Sequence, residues 1–201
     1  MDRREFFELL FAYLMVSFAL AAVLKRDEWL SAPFTREAFA SLLEPFVLSL
    51  FTVGVGFTVH ELAHRTVARY LGVPAFFRAS YLGLALSVIM GVLFGVVFVV
   101  PGATVTGTLG VQETAIVAAA GPASNLALVP VFLFVSKFSP VGEFGVFVNA
   151  TFAFFNSLPI IGLDGHYVLR GSKLLWALLF AFSSFLFVAV LSSKGLVSWW
   201  W

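Results

Sequence analysis

The sequence predicts an all-α polytopic membrane protein. It should have about five to six transmembrane helices and one membrane-embedded re-entrant or β-hairpin element. Composition is the first reason: of 201 residues, 61% are hydrophobic and 11% charged, against roughly a quarter charged in a soluble domain. The second is a series of apolar runs near the ~20 residues that a helix needs to cross a bilayer. The third is a glycine-punctuated run followed by a Thr/Val/Gly stretch, which reads as something other than a plain span. A net charge of +1 gives no basis for nucleic-acid binding, and the absence of Cys excludes disulfides and thiolate ligands.

The elements follow in order. Phe6 to Leu24 is the first span, retained rather than cleaved, because it ends in Lys25-Arg26-Asp27-Glu28 with no small-residue cleavage site. Residues 25–44 form a mixed-charge loop or surface helix. Pro45 opens a second span that reaches Tyr70. Leu71 to Ser80 is a connector. Tyr81 to Val100 is apolar but carries Gly83, Gly91 and Gly95 and ends at Pro101-Gly102. Ala103 to Gly110 reads as a short strand or hairpin. Glu113 to Val135 is a span containing Gly121-Pro122, and Glu113 at its start favours the helix dipole. Gly145 to Leu158 is a helix interrupted at Pro159, and Leu174 to Leu191 is the last span. Trp199-Trp200-Trp201 suits a membrane interface. Residues 1–201 are read as a single membrane domain: 1–44 an N-terminal span and loop, 45–170 a core, and 171–201 a C-terminal span.

Charge orients these spans. Arg65, Arg69 and Arg78 follow the second span without an acid among them, and Arg170 and Lys173 precede the last. The positive-inside rule makes both regions cytoplasmic in a multi-pass protein of the cell membrane, and Arg3 and Arg4 agree with a cytoplasmic N-terminus.

Inside the second apolar run lies His60-Glu61-Leu62-Ala63-His64. On a helix, HExxH places two imidazoles one turn apart on one face, where both can reach one Zn²⁺, with the glutamate beside them as a general base. Ionisable groups within a membrane span are costly and usually functional. A catalytic zinc wants three protein ligands and a water. The later acids in apolar surroundings are Glu113, Glu143 and Asp164. Asp164, between Leu163 and Gly165 after the breakers Pro159 and Gly162, is the candidate third ligand. The bland alternatives are a buried polar cluster for His60, Glu61 and His64, and a helix-end cap or a partner for Arg170 in the case of Asp164.

Asn156-x-x-Pro159-x-x-x-Leu163-Asp164-Gly165 and Gly121-Pro122-x-x-Asn125, together with HExxH, resemble the NxxPxxxLDG, GPxxN and HExxH motifs of the site-2 protease family of intramembrane zinc metalloproteases (peptidase family M50). The resemblance covers roughly 45–170 and is to a compact form without PDZ or CBS domain. It implies a zinc metalloendopeptidase that performs regulated intramembrane proteolysis. One Zn²⁺ per chain would be held by His60, His64 and Asp164, with Glu61 taking the proton of the attacking water. Its partners would be the lipid bilayer and a transmembrane protein substrate, with the active site nearer the cytoplasmic side. Asn156 and Asn125 are candidates for oxyanion or substrate contacts; interhelical hydrogen bonding is an even alternative for Asn156 and the favoured one for Asn125. His166 reads as a solvated or supporting residue where a small one is common, and Arg65 as snorkelling toward the interface.

If His60, His64 and Asp164 share a metal, an odd number of crossings must separate their helices. With Glu113 to Val135 supplying one, Tyr81 to Val100 is expected to be re-entrant, and Thr104–Thr108 to offer a strand edge to an unwound substrate. A catalytically silent scaffold that binds transmembrane helices is the alternative function, disfavoured by Glu61. A zinc transporter should show paired halves, which are missing here, and a prenyl-protein protease would want a downstream Glu in a motif.

Overall fold

The computed structural model describes residues 1–32, 35–94 and 102–193. The order is α1 (Arg3–Leu24), α2 (Arg26–Ser31), α3 (Arg36–Ser41), α4 (Leu43–Ser49), a π-helical turn (Leu50–Gly54), α5 (Val55–Tyr70), β1 (Ala75–Ala79), α6 (Tyr81–Phe94), β2 (Gly102–Thr106), α7 (Val111–Val135), α8 (Pro140–Ser157), α9 (Asp164–Gly171) and α10 (Lys173–Ser192). The protein is predominantly helical. Among the described residues, four helical stretches are long and apolar enough to cross a membrane: Arg3–Leu24, Arg36–Tyr70, Val111–Val135 and Lys173–Ser192.

Contacts divide the chain into two compact units, residues 1–58 with 76–103 and residues 59–75 with 104–201. In the first, α1 packs against α6, α4 and the π turn. Gly91 permits the close approach of α6, since a Cβ there would meet Val23 at 2.9 Å and the Ala19 carbonyl at 3.3 Å. Two carboxylates on the apolar helix α1 have a backbone purpose. Glu5 accepts from the Phe77 N–H and Glu8 from the Ala79 N–H, both at 3.1 Å. These are alternate residues of β1, so both N–H groups point to the same strand edge. Arg4 neutralises Glu8 at 2.7 Å. At the π turn, Tyr13 Oη donates to the Leu50 carbonyl at 2.8 Å. The extra residue of such a turn advances the following helix by about 100°, which resets the face that α5 presents.

In the second unit α7 packs against α8 and α9, and α10 against α7, α8 and α9. Gly145 lets α8 close on α7, because a Cβ there would overlap the Phe132 ring. Ala118 and Ala119 of α7, Val168 of α9 and Leu179 of α10 share one buried cluster. The end of α5 rests on α7 through Ala68 and Val117, with Ala75.

Several boundaries differ from the sequence expectation. The mixed-charge stretch holds two short helices, and the second candidate span starts at Arg36 rather than at Pro45. Pro45 is tolerated inside α4 because the first turn of a helix has no N–H acceptor to lose. The 71–80 connector contains β1, which pairs with β2. The strand anticipated over 103–110 is Gly102–Thr106, so Thr108 lies beyond it. The helix foreseen from Gly145 begins at Pro140 behind the N-cap Ser139. Asp164 opens a new helix instead of closing the old one, so Asn156 and Asp164 are on different helices. Residues 95–101, the end of the apolar segment foreseen as re-entrant, and the Trp199-Trp200-Trp201 cluster lie outside the described residues.

Candidate metal centre

His60 and His64 stand one turn apart on α5, and both are buried, as is Glu61. Asp164 arrives from the start of α9. Its placement depends on two glycines. Gly162 has φ +95°, the left-handed region that favours glycine, and it turns the chain after α8. Gly165 leaves room for the first turn of α9 to sit on the last turn of α8, since a Cβ would come within 2.2 Å of the Ser157 carbonyl. That end of α8 is clamped by α10: Trp176 Nε1 donates to the Ser157 carbonyl at 3.0 Å, and the Ser157 and Ser183 hydroxyls lie 2.8 Å apart.

Three ligand atoms converge. The two Nε2 atoms are 3.0 Å apart, and Asp164 Oδ2 lies 3.1 Å from that of His60 and 3.3 Å from that of His64. The protonation of the rings follows from their other nitrogens. His64 Nδ1 lies 2.7 Å from the Val117 carbonyl, which can only accept, so Nδ1 carries the proton. His60 Nδ1 lies 2.6 Å from Asn125 Oδ1, also an acceptor. In the neutral rings both Nε2 atoms therefore present lone pairs to each other and to a carboxylate oxygen. Asp164 Oδ2 is itself buried without a hydrogen bond. Three acceptors this close repel unless a cation sits among them. Donors about 2.0–2.1 Å from a tetrahedral zinc lie about 3.3 Å apart, near the observed separations. The donor set, two imidazoles and one carboxylate, suits that ion, and the group could hold a metal.

Gly121 of α7 covers the two imidazoles: a Cβ there would come within 2.3 Å of His64 Nε2 and 2.4 Å of His60 Nε2. Glu61 is steadied by β2, since Thr104 Oγ1 lies 3.1 Å from both the Glu61 carbonyl and its Oε2. Thr104 was singled out only as part of a strand, and nothing in the sequence tied it to Glu61.

Asn125 is fully buried and faces His60 on one side and Asn149 on the other. Both contacts run between helices, from α7 to α5 and from α7 to α8. Asn149 was missed; its signal was a lone amide in the apolar run Val146 to Ala150. Asn156 is half-buried and donates to the Phe152 carbonyl of its own helix at 3.1 Å. His166 is half-buried, stacks edge-on against Tyr167 and is outside the ligand group.

No family model and no solved structure matches the chain. It is similar to a Methanocaldococcus jannaschii protein named "Putative zinc metalloprotease", with 42% identity over 142 residues, 66% of this chain and 74% of that protein. The span of that match, over most of both proteins, shows common descent, and the chain belongs to the family of this Methanocaldococcus jannaschii protein.

Proposed function

We propose that the chain is an intramembrane zinc metalloprotease of the site-2 protease type, which hydrolyses peptide bonds within or near transmembrane segments of membrane proteins. The observation that carries the reading is the convergence of two imidazole lone pairs and one carboxylate oxygen at 3.0–3.3 Å, next to a buried glutamate on the same helix. His60, His64 and Asp164 would hold one Zn²⁺ per chain. When bound, zinc supplies a Lewis acid that acidifies a water and polarises the scissile carbonyl.

The remaining chemistry belongs to the protein. Glu61 accepts the proton of the attacking water and returns it to the leaving amine. Thr104 holds the Glu61 side chain while it does so, and a buried setting limits competing proton exchange with bulk water. A helical substrate hides its carbonyls in the i, i+4 ladder and must unwind before attack. We assign β2 to pairing with the unwound segment, because Thr104 brings that strand beside the base. Asn156 is a candidate for steadying substrate or the oxyanion, which would require its amide to leave the Phe152 carbonyl.

In the bilayer, α8 would provide a fifth crossing: its 18 residues reach about 27 Å, close to the hydrocarbon thickness. The segment from Tyr81 to Val100 would be re-entrant, which leaves α7 as the single crossing between the helix that carries His60 and His64 and the helix that precedes Asp164. Arg65, Arg69, Arg78, Arg170 and Lys173 would then mark the cytoplasmic side of the cell membrane, with the catalytic group nearer to it.

Zinc content of the detergent-purified protein tests the reading. Wild type is expected to hold about one zinc per chain, and Asp164→Ala to lose it. Full retention by the variant would remove Asp164 as a ligand, and a folded wild type without zinc would overturn the proposal. A finer check is Thr104→Val, expected to keep its zinc and to slow cleavage of a transmembrane substrate about five- to tenfold, the scale of one hydrogen bond. Unchanged turnover would detach Thr104 from the base.

A further inference from the structure

We propose that Asn149 is a positioning residue for the metal centre: acting through Asn125, it keeps the proton of His60 on Nδ1 and so leaves the Nε2 lone pair to the ion. The inference rests on the reading of His60 as a metal ligand. It begins at a backbone carbonyl. Asn149 Nδ2 donates to the Gly145 carbonyl one turn earlier on α8, at 2.9 Å. A carbonyl cannot donate, so the amino group of Asn149 must face it and Oδ1 must face away. That Oδ1 accepts from Asn125 Nδ2 at 2.9 Å. Asn125 in turn offers Oδ1 to His60 Nδ1 at 2.6 Å. Donor and acceptor alternate in one direction along the chain of groups, and its fixed end is an atom with a single possible role.

Reversing either amide would set two amino groups, or two carbonyls, against each other. Both asparagines are completely buried, so no solvent is at hand to satisfy the mismatch. A reversed Asn125 would present its amino group to His60 Nδ1, demand the lone pair there and move the proton to Nε2. The ring would then point an N–H at His64 Nε2 and Asp164. His64 needs no such relay, because the Val117 carbonyl fixes it directly. His60 lies opposite side chains rather than a carbonyl, and its tautomer is carried from α8 through α7 to α5. Size alone does not call for asparagine at 149, since leucine has nearly its shape in a run that is otherwise apolar.

Chelator-competition measurements of zinc affinity on the purified 201-residue chain, comparing wild type, Asn149→Leu and Asn149→Asp, test the relay. Asn149→Leu is expected to bind zinc about ten- to a hundredfold more weakly, the scale for lost partners of ligating histidines. Asn149→Asp is expected to stay close to wild type. The protonated acid reproduces both contacts: its O–H donates to the Gly145 carbonyl and its other oxygen accepts from Asn125. A packing role would reverse this order, with leucine tolerated and the buried acid harmful. Nitrogen-15 spectra of the metal-free, histidine-labelled protein, at a pH where the rings are neutral, supply a readout independent of activity. Wild-type His60 should carry its proton on Nδ1, and Asn149→Leu should show the other tautomer appearing. Wild-type His60 protonated on Nε2, or leucine and aspartate variants with equal affinity, would overturn the proposal. If Asn149→Leu does not fold, the wild-type spectrum decides. A wild type that binds no zinc would defeat the functional reading instead, and the spectrum would still judge the relay.

Discussion

Gly121→Ala is expected to abolish zinc binding while leaving the helices intact. The added Cβ would fall 2.3 Å from His64 Nε2, 2.4 Å from His60 Nε2 and 2.6 Å from His60 Cε1. Those separations are about 1 Å short of ordinary van der Waals contact, and relief must come from one side. The imidazoles have little freedom, because Asn125 and the Val117 carbonyl hold their far nitrogens. The α7 backbone has little either, with α8 pressed against it at Phe132 and Gly145 and α9 meeting it where Gly171 reaches Val111. Retreat of the rings would spoil ligand positions that a metal site tolerates only to about 0.2 Å. Propensity works in the opposite direction: alanine in a helix interior is favoured over glycine by about 1 kcal/mol. Loss of zinc with unchanged or raised helical content would therefore separate the steric effect from unfolding. Metal analysis beside far-ultraviolet circular dichroism makes the distinction, and a zinc-replete Gly121→Ala protein would show that α7 does not roof the two rings.

The parts of this site that could be read from sequence were those set by local geometry. HExxH needs only the helical repeat to bring His60 and His64 together. Asp164 stood out because few acids occur in the apolar later half and because Pro159 and Gly162 break the chain just ahead of it. The restart of a helix at Asp164 itself was not legible: Leu163 at the N-cap offers no side-chain acceptor, so the usual start signal is missing. Thr104, Asn149 and the job of Gly121 depend on distant segments meeting, which no spacing rule conveys. The same holds for β1. Gly72 and Pro74 mark its approach as a turn, and the strand is supported by carboxylates more than seventy residues earlier on α1. Likewise the π turn ahead of α5 is braced by Tyr13, a residue whose own helix gives no sign of it. The long helices were legible in order, and their ends shifted by several residues: α8 starts at Pro140 behind its cap Ser139, and the second apolar stretch starts at Arg36.

Glu61→Gln is expected to keep its zinc and to lose about a hundred- to ten-thousandfold in turnover, the range ascribed to a positioned general base. The substitution is nearly isosteric, so the packing around a side chain that is only 8% exposed should survive. Glu61 is not among the three groups whose donor atoms converge, which is why metal content should be unmoved. The amide still has an oxygen for the Thr104 hydroxyl, so the contact with β2 need not be lost. What disappears is the ability to accept a proton, because an amide is not basic at neutral pH. The prediction distinguishes two roles that burial alone would not. Were Glu61 present to stabilise the helix bundle, a neutral residue of the same shape would be the better choice in an apolar setting, and the variant would be at least as stable with full activity. Were it the base, stability and zinc would hold or improve while cleavage collapsed. Thermal denaturation, zinc analysis and cleavage of a purified transmembrane substrate, measured on the same preparations, discriminate between them, and normal cleavage by Glu61→Gln would remove Glu61 from the chemistry.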